Sequence, residues 1–517
     1  MSNPQIARRA LVAALLLGIA ADPLLRNGPW GFGLLLWMVA FAVAVITLVR
    51  TSARPLTRES ASWLVVAVLF AAGLTFRDSD LLLFFDVLAM LTALVLLAMS
   101  LNAIPVAGLV SARVRDLIVA AFGTVADVVI GAISLIARDS EFHAALQPAG
   151  PGRRLVRALL ITAPVLLVFT LLLARADPVF GSFFAFPDLN LGVVFSHIGI
   201  PGFFAWIVAG WLKRSLLASP EAAGTPVASL PLSLGATDVT LALGALNLLF
   251  AAFVIVQIGW LFGGEALVVK TTGLSYAEYA RRGFFELTFV ACLLLPVLLG
   301  ARALIPDSES RTVGLYRRLS IPLVMLLGAI LVSAGARMKL YIQFYGISSD
   351  RLYASAFMIW LAIVFVWLAH TVLRSRPRAF AAGMVISGFA VLFTLNVLDP
   401  DGLVARSNLA RGEPGHIGAA GSDLRYVASL GGDAVPLLVP VLTASRIAVD
   451  STGAVDRCEA ARLLLIRWTG GRRVEMSRNW FQWNLARMRA TRDVRASESQ
   501  LRQIACLHGT DGNSDGL

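Results

Sequence analysis

The polar side chains that could perform chemistry in this sequence lie within or just beyond long apolar segments. Asp86 and Glu286 interrupt two such segments, and the run Asp399-Pro400-Asp401 follows another. Ionisable residues inside a membrane are energetically expensive, so they mark candidate functional positions. Carboxylates serve as general acids or bases, and Arg side chains bind phosphate through paired hydrogen bonds. The candidate site consists of Asp86, Tyr276, Glu278, Arg281, Glu286, Arg337, Lys339, Asp399, Asp401, Arg406 and Asn408.

These residues support three interpretations: a proton or ion relay, a pocket for a headgroup or sugar, and a salt-bridge network that holds helices and the C-terminal region together. The network is favoured because unpaired charges near lipid are costly. Under this interpretation, Asp86 or Glu286 pairs with a cation such as Arg337 or Lys339. The sequence thus predicts a polar layer at one face of a membrane and assigns no catalytic residue.

Familiar signatures of catalytic and metal sites are missing from the sequence. It contains no HExxH, CxxC, P-loop or GxSxG motif, and its five histidines are far apart. We therefore expect no metal and no cofactor, and a function other than catalysis is favoured. The formal net charge is +12, but the 44 Lys and Arg residues lie mostly in short connections between apolar segments. Because they form no single basic patch, the pattern argues against a nucleic-acid partner.

The elements that must position the candidate residues are membrane-spanning helices. Hydrophobic residues make up 58% of the chain and charged residues only 15%, whereas a soluble domain carries about a quarter charged residues. Crossing the bilayer takes roughly 20 apolar residues. The sequence predicts an all-α polytopic transmembrane helix bundle with about eleven spans. They lie near residues 10–25, 30–49, 61–76, 81–101, 158–175, 190–212, 236–262, 283–301, 320–336, 351–373 and 379–398.

The segment 116–136 is ambiguous because Asp127 interrupts it, and we interpret it as a helix lying in the membrane interface. With that choice, roughly twice as many Lys and Arg residues lie in loops on one side as on the other, which predicts a cytoplasmic N-terminus and an outside C-terminus. The candidate residues then share the outer face. The first apolar run is either an uncleaved span, which is favoured, or a cleaved signal peptide.

The chain changes character after the last predicted span. We expect a transmembrane bundle over residues 1–398 and a small, mainly helical extracytoplasmic domain over residues 399–517. Trp480, Trp483 and Leu485 indicate an apolar face that packs within this domain or on the bilayer surface. Cys458 and Cys506 either form a disulfide or are two separate thiols. The domain offers a surface for envelope protein partners, and the sequence leaves the oligomeric state open.

Several short motifs resemble a known family. The capping box Ser275-Tyr276-Ala277-Glu278 begins a run that continues through Arg281 to Leu287. Further motifs are Arg337-Met338-Lys339-Leu340-Tyr341, Arg351-Leu352-Tyr353, Asp401-Gly402-Leu403-Val404-Ala405-Arg406-Ser407-Asn408, Asp423-Leu424-Arg425-Tyr426-Val427 and Asp433-Ala434-Val435-Pro436. Together they resemble the bacterial membrane proteins grouped as DUF4173 and the related DUF4153 proteins, over roughly residues 230–490. The resemblance implies a multi-pass protein of the bacterial inner membrane and transfers no catalytic role.

Three functions are consistent with these features. The first is transport of a small solute or ion, which would use the acidic and basic groups beside the spans. The second is a non-enzymatic envelope sensor or scaffold built around the outside domain. The third, ranked last, is a membrane enzyme acting on lipid-linked substrates, with Glu286, Asp399 or Asp401 as acid or base and Arg337 or Arg406 binding phosphate.

Overall fold

A computed structural model describes residues 4–26, 28, 30–52, 55–102, 114–135, 191–217, 234–272, 284–306, 308–374, 379–411, 423–444, 451–470 and 480–505. Within these ranges the chain is helical, with short turns and no β-strand. The predicted all-α class is therefore confirmed. The span expected near 158–175 and the candidate residues Tyr276, Glu278 and Arg281 lie outside the described residues.

The described helices of the bundle lie in two successive parts of the chain. The N-terminal part contains α1 (Pro4–Leu25), α2 (Phe32–Thr51), α3 (Arg58–Phe76), α4 (Asp80–Leu101), α5 (Val114–Ser134) and α6 (Leu191–Leu212). The following part contains α7 (Ala236–Thr272), α8 (Phe284–Leu304), α9 (Ser310–Tyr345), α10 (Ser349–Thr371) and α11 (Phe380–Leu398). Eight helices in the described part of the chain, among them α2, α3, α4, α10 and α11, are long and apolar enough to cross a membrane.

Two helices are longer than the sequence predicts. Helix α7 continues to Thr272 instead of ending near residue 262, and α9 covers 36 residues instead of roughly the stretch 320–336. The first turns of α9 carry Arg311, Arg317 and Arg318, so hydropathy alone detects only its apolar middle. Large apolar side chains on the outer faces of the bundle are exposed, for example Leu248 and Val366, as expected for helices surrounded by lipid.

The α3–α4 hairpin brings the candidate site together. Its connection is only residues 77–79, which makes α3 and α4 antiparallel neighbours. Thr57 caps α3 by accepting a hydrogen bond from the Ser60 amide, and the Ser60 and Ser100 hydroxyls, 2.9 Å apart, join the far ends of the two helices. The turn Arg77–Ser79 therefore lies at the opposite end of the hairpin.

Helix α5 contacts one end of α6. Arg214, just after α6, forms an ion pair with Asp127 at 2.8 Å, and the Trp206 indole donates to the Val129 carbonyl at 2.9 Å. The other end of α6 lies beside α1, where His197 Nδ1 is 2.7 Å from Asp22 Oδ2. The second half of α5 is thus level with the end of α6 that lies away from His197.

The C-terminal region is a compact set of helices with its own apolar core. It contains α12 (Pro400–Arg411), α13 (Leu424–Ser429), α14 (Val435–Thr443), α15 (Ser451–Thr469), α16 (Leu485–Ala496) and α17 (Glu498–Ile504). Trp468, Leu438 and Leu464 are completely or almost completely buried in this core. Ile347 and Leu352, in and next to the connection between α9 and α10, pack against the same core. The C-terminal region is therefore seated on the bundle.

The aromatic face predicted around Trp480 contacts the bundle. The ring of Phe32, the first residue of α2, lies 6.1 Å from that of Trp480 and 6.2 Å from that of Trp483. The Phe32 amide also donates to the Trp483 carbonyl at 3.0 Å. This segment packs on the start of α2, whereas the sequence pattern had indicated packing within the C-terminal domain or on the bilayer surface.

Candidate functional site

The turn between α3 and α4 contacts three separate parts of the C-terminal region. Arg77 donates to Asp433 at 3.3 Å and lies 3.4 Å from Asp399. The Ser79 hydroxyl donates to Asp401 at 3.3 Å. The side chain of Asp78, between Arg77 and Ser79 in the sequence, contacts α16. We call this set of contacts the junction, and it includes two residues of the predicted site, Asp399 and Asp401.

Asp78 is a buried carboxylate of the junction and is paired with a cation. Its side chain is 3% exposed and accepts hydrogen bonds from Arg487 Nε at 2.6 Å and from the Gly432 amide at 3.1 Å. Its backbone amide donates to Asp433 at 2.9 Å. The loop approaches so closely that a Cβ on Gly431 would lie 2.0 Å from the Asp78 carbonyl oxygen. Only glycine fits there.

Asp401 is buried at the first turn of α12. It accepts hydrogen bonds from the Gly431 amide at 2.9 Å, from Ser79 at 3.3 Å and from the Ser349 hydroxyl at 3.4 Å. Burial raises the pKa of the Asp401 carboxyl above its usual range, and these hydrogen bonds oppose the shift. Asp401 therefore joins α4, α10 and the C-terminal region at one point.

Asp399 and Asp433 add negative charge next to Arg77. Asp399 ends α11 in the left-handed conformation, with φ 57°, and accepts a hydrogen bond from the Gly402 amide at 3.1 Å. Arg406 is largely exposed and lies 3.9 Å from Asp399. Burial, together with the nearby charge of Asp399, raises the pKa of Asp433 to about 7. Acidic groups thus outnumber the cations that neutralise them in the described junction.

Asp86 lies deeper, within α4, and is completely buried. The Asn396 side-chain amide donates to Asp86 Oδ1 at 2.7 Å. Among the described residues, Asp86 Oδ2 and Asn396 Oδ1 have no hydrogen-bond partner. Both oxygens lie beside Gly73, because a Cβ on Gly73 would lie 2.8 Å from Asp86 Oδ2 and 2.7 Å from Asn396 Oδ1. The structure pairs Asp86 with Asn396, and not with Arg337 or Lys339 as the sequence suggested.

The remaining predicted residues lie elsewhere. Arg337 donates to Gln257 at 2.9 Å, and Lys339 and Glu286 are exposed. Asn408 is buried and binds both the amide and the carbonyl of Ile347, at 3.1 and 2.7 Å. It thereby secures the turn after Gly346, whose φ is 79°. Asn408 fixes the bend between α9 and α10, whereas Arg337 belongs to a separate contact between α7 and α9.

An apolar cavity of about 650 Å³ lies directly below the junction. It is bounded by α4, α8, α10 and α11, and the described residues that line it are almost all hydrophobic. Tyr353 lies at its boundary, where the phenol oxygen is 3.0 Å from the Ser79 hydroxyl. Cys292, which has a free thiol, also lines the cavity. The cavity and the junction therefore meet at Tyr353.

One cysteine of the C-terminal region forms a disulfide. Cys458, in α15, is disulfide-bonded. Cys506 lies outside the described residues, so its pairing with Cys458 stays a prediction. Across the part of the chain that the structure describes, no group of three or more His, Cys, Asp and Glu side chains is placed to hold a metal ion.

Sequence reasoning missed several residues of the junction. Asp78 and Arg487 form an ion pair across 409 positions, and no local pattern links them. The Asn484 amide donates to the carbonyls of Leu74 at 2.9 Å and Arg77 at 2.7 Å, which is equally non-local. Two signals were present in the sequence. Arg77-Asp78 interrupts two apolar segments, and Asp433 belongs to one of the motifs that resemble the family.

Comparison with known proteins identifies a family. A family model described as a domain of unknown function, DUF4153, matches residues 64–441. The match begins within α3. The sequence motifs had suggested a later start, near residue 230. No curated protein and no solved structure matches the chain.

Proposed function

We propose that this chain, which belongs to the DUF4153 family, is an envelope scaffold or sensor that holds its C-terminal domain in a fixed position on a helix bundle. One observation carries the proposal. The turn Arg77–Ser79 binds the start of α12, the loop 431–433 and α16 at the same time. A domain that merely followed the last span as a tether would need none of these contacts.

The energetics of the junction favour a positioning role. Removing two charges from water costs several kcal/mol, and a buried ion pair often contributes little net stability compared with an apolar replacement. The pair Asp78–Arg487 fixes orientation, however, because both side chains are held by directional hydrogen bonds. A fixed orientation suits a protein that presents its domain to a partner or transmits movement of the bundle to that domain.

Two observations support the predicted topology. The disulfide at Cys458 is typical of an oxidising compartment, which favours an extracytoplasmic C-terminal domain over residues 399–517. The second half of α5 contacts the end of α6 that lies away from His197, which favours an interfacial helix at the cytoplasmic side. Reporter fusions after residues 140, 310 and 517 test this arrangement. We expect outside activity only at 517, and a cytoplasmic reporter at 517 would contradict it.

Affinity purification of the full chain from membranes tests the scaffold role. The decisive comparison is Arg487→Ala, which breaks the junction, with Arg492→Ala, which removes an exposed arginine from the same helix. We expect a protein partner that is recovered with the wild type and with Arg492→Ala but lost with Arg487→Ala. Recovery of the same proteins from all three, or of no partner dependent on residues 399–517, would contradict the proposal.

Ion transport is a second candidate, favoured by the unpartnered oxygens of Asp86 and Asn396 inside the bundle. These groups lie on α4 and α11 near the junction, at one end of the bundle. A path across the membrane would also need polar groups further along these helices. Flux measurements on reconstituted wild-type and Asp86→Asn protein test this candidate, and unchanged flux of every ion would remove its support.

A further inference from the structure

The cavity below the junction opens toward the surroundings of the bundle. Leu88, Phe289 and Phe357 line it and are also substantially exposed, by 50%, 63% and 38%. These side chains belong to α4, α8 and α10, which are apolar enough to cross a membrane. The exposed rim therefore faces hydrocarbon, and the cavity is a lateral opening from the bilayer into the bundle.

The lining excludes water and polar solutes as occupants. The lining has almost no polar surface, and cavities of this kind stay dry or take up apolar ligands. The volume of about 650 Å³ lies within the ~300–1,000 Å³ typical of ligand pockets. A hydrocarbon chain is the only apolar ligand that the bilayer supplies in quantity, which sets the class of occupant.

The position of the cavity orients that occupant. Its lining begins at Leu81, in the first turn of α4, and reaches Leu88, about 10 Å further along the helix. Leu395, one turn before the end of α11, lines the same upper part. Tyr353 closes this end, and its hydroxyl is hydrogen-bonded to Ser79 of the junction. A chain in the cavity would therefore enter from the leaflet that borders the C-terminal region, with its polar headgroup at the level of Tyr353.

We propose that this cavity binds one acyl chain of a membrane lipid from that leaflet. The site depends on the bundle being surrounded by lipid and does not depend on the scaffold role. It places a lipid directly beneath the contacts that hold the C-terminal domain. Occupancy would link the lipid composition of the membrane to the position of α10, because Tyr353 touches both the cavity and Ser79.

Photo-crosslinking of the full chain tests the proposal. The protein is reconstituted in nanodiscs that contain a phosphatidylglycerol with a diazirine in its acyl chain, and adducts are mapped to peptides. Ala356→Trp fills the cavity, whereas Ala390→Trp adds the same bulk to an exposed position on α11. We expect crosslinking to the cavity-lining peptides to fall roughly tenfold in Ala356→Trp, because the buried apolar surface is lost, and to persist in Ala390→Trp.

A second measurement needs no substitution. The free thiol of Cys292 lines the cavity, so its rate of reaction with N-ethylmaleimide reports occupancy. We expect the wild type to react several-fold more slowly when phosphatidylglycerol is added to delipidated protein in detergent. Equal crosslinking of the two tryptophan variants would mean ordinary boundary lipid and would overturn the proposal. An unchanged Cys292 rate with added lipid would also overturn it.

Discussion

Arg487 Nε lies 2.6 Å from Asp78 Oδ1, although 409 positions separate the two residues, and both side chains are at least nine-tenths buried. This contact joins α16 to the turn between α3 and α4. Hydrogen bonds between the loop 431–433 and the same turn lie beside it: the Gly432 amide donates to Asp78, and the Asp78 amide donates to Asp433. The C-terminal region is therefore held on the bundle by a polar contact that excludes water.

Breaking this ion pair should destabilise the docked arrangement strongly. Arg487→Ala leaves the Asp78 carboxylate buried without its cation, which typically costs about 3–5 kcal/mol. Arg492→Ala, which removes an arginine that is 69% exposed, should change stability by less than about 0.5 kcal/mol. Thermal unfolding of the purified variants in detergent measures both. Equal melting temperatures would show that the pair does not hold the domain.

The stability of the junction should fall as pH rises toward neutrality. The pKa of Asp433 is raised to about 7, against about 3.9 in an unfolded chain, so the folded state binds more protons between these values. The contribution of Asp433 to the free energy of unfolding is therefore fully present below about pH 3.9 and is lost as the pH rises through about 7. The charged groups facing Asp433 are Arg77, Asp78 and Asp399.

Asp433→Asn should reduce this pH dependence without abolishing it, because burial also raises the pKa of Asp401. Melting temperatures from pH 5 to pH 8.5 test the prediction. Asp493→Asn, at a more exposed carboxylate of α16, is the control and should keep the wild-type slope. The prediction fails if Asp433→Asn and the wild type show the same slope.

The surroundings of Asp86 predict different effects for two substitutions. Asp86→Asn can still accept from Asn396, and its new amide can donate to the unpartnered Asn396 Oδ1. We expect it to be at least as stable as the wild type. Asp86→Ala removes one of the two acceptors of the Asn396 side-chain amide and leaves only the Leu392 carbonyl, at a cost of about 1–3 kcal/mol. Denaturation of both variants tests this, and a stability loss in Asp86→Asn as large as in Asp86→Ala would contradict it.

The close approach at Gly431 can be tested with a single methyl group. A Cβ there would lie 2.0 Å from the Asp78 carbonyl oxygen, so Gly431→Ala must push the loop away from the turn. We expect a loss of about 1–3 kcal/mol. Gly470→Ala is the matched control, because its Cβ would have no atom within 4 Å. Unfolding measurements that fail to separate the two variants would argue against close contact at Gly431.

The sequence predicts the helices well and the junction only in part. Long apolar segments identify α2, α3, α4, α10 and α11 because lipid requires every span to be apolar and helical. Asp399 and Asp401 could be identified because they directly follow a span. Arg487 and Asn484 could not be identified from the sequence, because they contact the turn between α3 and α4 through tertiary packing that leaves no local pattern. Local periodicity likewise gives no sign of the cavity, which depends on how four helices are arranged.

Hydrogen–deuterium exchange at the loop 430–434 tests the central claim most directly. The Gly431 and Gly432 amides donate to Asp401 and Asp78, so the docked domain should protect them from exchange in the full chain. We expect slow exchange in the wild type and in Arg492→Ala, and exchange at least roughly a hundredfold faster in Arg487→Ala, because the docked state loses about 3–5 kcal/mol. Fast exchange of this loop in the wild type, or slow exchange unchanged in Arg487→Ala, would contradict the docked arrangement.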